Sequence, residues 1–145
     1  MNTSATILPP SPERCVIVIN QQLAAGHAAN AAAVLALTLG QRHPSLVGAP
    51  LVDADNREHP GLIPIGISVL VADSEQLTQL HQHLLNDDEM DGIIFPVGGQ
   101  QTTDYAAFRE AVSVVPTDNL QLLGIALAGK KKVVRKLTGK LALLG

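Results

Sequence analysis

The chain has 145 residues, the size of one domain, and 46% of them are apolar, enough for a true core. A formal net charge of −3 excludes a molecule that attracts polyanions over its whole surface. The only aromatic residues are Phe95, Tyr105 and Phe108, so the core must be aliphatic and a reader of single-stranded nucleic acid by base stacking is disfavoured.

Residues 1–14 hold three prolines and no basic start before an apolar stretch, so they do not read as a signal peptide. Residues 1–11 read as a loose arm and 12–145 as a single domain. Cys15 is the only cysteine, which rules out an intrachain disulfide and fits a reducing, cytoplasmic setting. It opens the run Cys15-Val-Ile-Val-Ile19, a buried strand, where it reads as a small hydrophobe and not a nucleophile. A turn leads into a helix over 28–39, rich in Ala and Leu, with Gly40 as its stop and Pro44 beyond. Its small side chains allow close approach to a sheet.

Residues 41–64 carry Pro44, Pro50, Pro60 and Pro64 and read as a long surface excursion, a kind of loop that often carries function. Within it Asp53, Asp55 and His59 suggest a metal loop. Arg57 and Glu58 break the calcium pattern, so a turn cornered at Asp55-Asn56 is expected and no metal. A second strand spans 65–72, and Asp73 or Ser74 caps a helix over 75–86. Ser74-x-x-Leu77 lacks the acidic partner of a capping box, and Leu77, Leu80, Leu84 and Leu85 share a face. After an acidic turn at 87–89 comes a third strand at 92–96. The polar loop Gly98-Gly-Gln-Gln-Thr-Thr103 could close over a ligand. A helix over 103–115, capped by Thr102 or Thr103, and a fourth strand at 120–128 follow. Gly124 to Lys130 nearly spells a phosphate loop, but its aliphatic spacer and the following Lys131 mark it as strand. A short helix at 131–137 and an apolar tail at 141–144 close the chain.

Strands alternating with helices predict an α/β fold: a three-layer sandwich whose mixed four-stranded sheet is flanked by helices, with strand one central. Lys130, Lys131, Lys132, Arg135, Lys136 and Lys140 gather six of the ten basic residues near one end. The first three fall near a helix N-terminus, where positive charge is unfavourable, which hints at an anion such as RNA phosphate. A solvated basic face is the plainer reading.

The opening Val16-Ile-Val-Ile-Asn-Gln-Gln-Leu-Ala-Ala-Gly-His-Ala-Ala-Asn30 resembles the start of type II peptidyl-tRNA hydrolases, where a strand runs into a D-L-x-M-x-x-G-K turn and a helix. Leu123 to Gly129, with Val133-Val-Arg-Lys-Leu-Thr-Gly-Lys-Leu141, resembles that family's last strand and its V-T-G-H-L close. The fold implied is the peptidyl-tRNA hydrolase II fold. The catalytic set is not carried over: the turn lysine becomes His27 or Gly26, the helix glutamine becomes Asn30 and the helix histidine falls on Ala33. The D-A-G-x-T segment is replaced by Val115-Pro-Thr-Asp-Asn119. Gly26-His-Ala-Ala-Asn30, Leu39-Gly-Gln-Arg-His-Pro44 and Asp55-Asn-Arg-Glu-His-Pro-Gly61 resemble more closely a bacterial family described as domain of unknown function 2000, which is thought to share that fold.

His27 and Asn30 lie at a helix start, where free backbone N–H groups favour an anion or a carbonyl oxygen. The expected site joins that turn to the 53–61 and 98–103 loops, with His27, Asn30, Asp53, Asp55 and His59 as ligand-binding candidates and His43 facing the same pocket. Lys130, Lys131, Lys132 and Arg135 are the anion-binding candidates. The expected partner is a small molecule, with no cofactor and no membrane. An RNA- or protein-interaction module, a divergent peptidyl-tRNA hydrolase and a homodimer stay open.

Overall fold

A computed structural model of the chain describes residues 11–145. The run expected to be most deeply buried, β1 (Arg14–Asn20), sits at the centre of a five-stranded sheet. Its β-branched residues are buried on both faces, which is why they form a continuous apolar run instead of an alternating one. With β4 (Ser68–Ala72), β5 (Asp91–Pro96), β6 (Leu122–Gly129) and β7 (Ala142–Leu143), the strand order is β5-β6-β1-β4-β7. Strands β1 and β4 run parallel and the other pairs antiparallel, so the sheet is mixed.

Helices cover both faces. On one, Ala28, Ala31 and Leu35 of α1 (Ala25–Arg42) pack on Ile17, Ile19, Ala126 and Phe95. The absence of a side chain at Gly124 leaves room there for the Leu35 methyl, which would lie 3.1 Å from an added Cβ. On the other face, α2 (Ser74–Leu85) and α4 (Lys131–Thr138) place Leu77, Leu80, Leu84 and Val134 against Val16, Val18, Ile125 and Leu127. A fourth helix, α3 (Tyr105–Ser113), has no buried residue. Between α1 and β4 the excursion folds into a small antiparallel hairpin, β2 (Leu51–Val52) and β3 (Glu58–His59). Among the described residues no helix is long and apolar enough to cross a membrane.

Several boundaries differ from expectation. The sheet has five strands and not four, because the apolar tail pairs with the free edge of β4 (Leu70 with Leu143, Val71 with Ala142). A two-residue strand is too short to show a period in sequence. Gly40 does not end α1, which continues to Arg42 and stops at the proline. Asp73 caps α2, and Gln76 completes a capping box whose partner is an amide and not an acid. Asp104, not Thr102 or Thr103, caps α3. Leu85 is exposed, and its expected place on the buried face of α2 is taken by His81. The expectation of a loose arm falls, apart from Ser11, outside the described residues.

Candidate ligand-binding cleft

The first turn of α1 points toward the end of β5, and the loop between β5 and α3 returns across it. Between them lies a cleft of about 690 Å³. Leu35, Ile93, Phe95 and Phe108 give it an apolar floor, and Val34 and Tyr105 form its sides. Phe95 and Phe108 meet edge to face, with ring centroids 6.5 Å apart, the arrangement their quadrupoles favour. The loop can lie on this floor because residue 99 is glycine: a Cβ there would overlap the Phe95 ring. Gly98, with φ +105°, makes the turn that brings it there.

At the rim, Gln100 spans the gap to α1. Its Nε2 donates to the main-chain oxygen of His27 at 2.7 Å and to Asn30 Oδ1 at 3.0 Å. Its Oε1 accepts from His27 Nδ1 at 2.8 Å. The structure thus brings together His27, Asn30 and the 98–103 loop as expected. Within that loop the sequence does not single out Gln100, because it and its α1 partners are separated by some seventy residues and leave no local pattern. Among the described residues no Asp, Glu, Lys or Arg lines the cleft, so its chemistry is that of hydrogen bonds at the mouth of an apolar chamber.

Asp53, Asp55 and His59 are not among the residues lining it. They belong to the hairpin, where Asp53 Oδ1 accepts from the backbone of Asp55 and Arg57, and its Oδ2 pairs with His59 Nε2 at 2.8 Å. The His59 hydrogen bond, with the backbone N–H groups, holds the Asp53 carboxyl below its ordinary value. Asn56 takes the left-handed conformation at φ 61°, so these side chains organise a turn. The hairpin departs from the far end of α1, where Gly48 N–H donates to the Leu62 oxygen. At 1.5 Å per residue that end lies roughly 20 Å from Asn30, which explains the separation.

His43 is also at that end. Its Nε2 lies 2.6 Å from Asp91 Oδ2, while Arg42 grips the same carboxylate through Nε at 2.7 Å and a terminal nitrogen at 2.9 Å. Burial would raise the Asp91 carboxyl, but hydrogen bonds from Arg42 and His43 and their charge outweigh it and hold the group below its ordinary value. This cluster ties the end of α1 to the start of β5. The Arg42-His43-Pro44 run at the end of α1 is its one sequence signal.

Cys15 is buried and its thiol is pushed up by desolvation, the state of an inert core residue. The segment from Gly124 lies within β6, as a strand and not a phosphate loop. Lys130, Lys131, Lys132 and Arg135 sit around the start of α4 with their side chains outside every ion pair of the described residues. The Lys131 backbone N–H already donates to Glu13 Oε1 at 2.9 Å, so part of the anion affinity of that end is met from within.

The sequence profile of a family described as protein of unknown function (DUF2000) matches residues 13–145. No curated protein matches the chain. A solved structure of a protein of unknown function from Agrobacterium tumefaciens strain C58 is similar at 24% identity and a TM-score of 0.83, over 91% of this chain and 97% of that one. At that identity the likeness shows a shared fold.

Proposed function

This chain belongs to the DUF2000 family of proteins of unknown function, and we propose that its domain binds a small uncharged molecule with an apolar body and a hydrogen-bonding head. The observation that carries this is the cleft itself: a largely apolar chamber at whose mouth His27, Asn30 and Gln100 are hydrogen-bonded together. An ionised group placed inside would lose its hydration and find no opposite charge, which is costly. An alkyl or aryl body gains about 25 cal/mol for each Å² withdrawn from water.

Tyr105 lines the cleft and is the only tyrosine in a chain without tryptophan, so its fluorescence reports on occupancy directly. Titration with hexan-1-ol, hexanamide and benzyl alcohol is expected to change that signal saturably. Val34→Phe, which fills the chamber from an exposed helix position without adding a competing fluorophore, is expected to abolish the response without lowering the melting temperature by more than a few degrees. An unchanged response in Val34→Phe rejects the reading.

The scaffold we assign is that of the type II peptidyl-tRNA hydrolases, on the matching opening and closing segments. Hydrolysis needs a nucleophile or activated water and groups that stabilise developing charge within hydrogen-bond reach. The position matching the family's helix histidine is Ala33, which does not line the cleft. Asp118 lies in the turn before β6, where its charge is felt by His81 of α2. Purified protein is therefore expected not to turn over an N-blocked aminoacyl-tRNA. Turnover lost on His27→Ala would overturn this.

A further inference from the structure

The latch of Gln100 has the form of a completed recognition event. A primary carboxamide offers two N–H donors and one carbonyl acceptor. At the rim of the cleft all three are met at once. The two acceptors are the His27 main-chain oxygen and Asn30 Oδ1, and the donor is His27 Nδ1–H. They come from a single turn of α1, so their spacing is fixed by the helix and not by the loop that supplies Gln100.

Resting on the proposal that the cleft binds an uncharged molecule, we infer that the head of that molecule is a primary carboxamide and that Gln100 is an internal stand-in for it. The ligand's amide takes the three partners of the Gln100 side chain, and its apolar body lies along Phe95 and Leu35. The loop can release Gln100 because the two residues before it are glycines, one already at positive φ.

The same geometry rejects close analogues. A carboxylate would bring its oxygens against two acceptors. Asn30 can turn its amide over to donate, but the main-chain carbonyl of His27 cannot. An N,N-dimethylamide has no donor and leaves both acceptors unpaired, and a site built for an N–H discriminates strongly against a ligand lacking it. An alcohol has a single O–H donor and leaves one of the two acceptors unpaired.

The test uses the full chain, wild type and Gln100→Ala, titrated calorimetrically with hexanamide, N,N-dimethylhexanamide, hexanoate and hexan-1-ol. Removing the internal competitor is expected to tighten hexanamide binding about tenfold, since apparent affinity scales with the fraction of open site. Hexanamide is expected to exceed the dimethylamide and hexanoate by at least about tenfold in the variant. Adding Asn30→Leu removes one of the two acceptors and is expected to weaken hexanamide binding, while the His27 main-chain carbonyl keeps part of the preference. If hexanoate or the dimethylamide binds Gln100→Ala as tightly as hexanamide does, the carboxamide assignment is wrong while the cleft remains a binding site. If none of the four binds either protein, the cleft reading fails and this inference with it. Should Gln100→Ala not fold, the side-chain NH₂ resonance of Gln100 in wild type decides. Hexanamide must move it to its solvent-exposed position, and failure to do so overturns the assignment.

Discussion

Asp91 holds three hydrogen bonds on one carboxylate that is 18% exposed, two from Arg42 and one from His43. Arg42 is 55% exposed, so water screens its share and competes for its donors. His43 is 12% exposed and much less screened. Truncating the shared acceptor strands both partners, so Asp91→Ala is expected to cost about 1.5–3 kcal/mol in urea unfolding. Arg42→Ala leaves the His43 contact and is expected to cost about 1 kcal/mol or less. Equal losses from the two substitutions would show that the histidine contact contributes nothing.

The elements were legible where burial writes a pattern along the chain. The β-branched run of β1 and the leucine spacing of α2 each follow from one element meeting one face of the sheet. Boundaries were less legible, because a helix stop depends on what lies next to it. Gly40 looks like a stop by residue type, yet α1 passes through it since Leu39 is still buried against Cys15 and Leu46. A glycine inside a helix carries a backbone entropy penalty, and a Cβ at residue 40 would meet nothing within 4 Å. Gly40→Ala is therefore expected to stabilise the protein by about 0.5–1 kcal/mol, raising its melting temperature by a few degrees. Destabilisation instead would mean that the glycine has a packing role. Leu35 is 1% exposed beneath the same helix, and Leu35→Ala should cost about 2–5 kcal/mol while opening the cleft floor. For the site, His27 and Asn30 were visible as polar residues at a helix start. Gln100 and the exclusion of the hairpin were not, since both depend on which ends of α1 the loops reach, and sequence spacing does not encode that.

Across the whole molecule, two groups on opposite faces of the sheet dominate the response to acid, since the Asp53 carboxyl, also held low, is exposed and screened by water. His81 is 9% exposed on α2, and burial lowers its tendency to protonate, with the charge of Asp118 opposing only in part. Asp91 is held below its ordinary value on the α1 side. Both therefore bind more protons in the unfolded chain than in the folded one, and stability must fall as pH falls. The His81 contribution is complete above about pH 6.5 and is lost as pH drops through its lowered folded value. The Asp91 contribution is complete above about pH 4 and fades below it. Urea midpoints measured from about pH 7.5 down to about pH 3 should thus decline in two steps. His81→Gln, which cannot take up a proton, should remove the upper step and leave the lower one. Asp91→Asn should remove the lower step and lower the whole curve, because an amide offers Arg42 and His43 one fewer acceptor oxygen. A wild-type midpoint flat between about pH 7 and pH 5 would refute the assignment of His81 as a histidine buried in its neutral form.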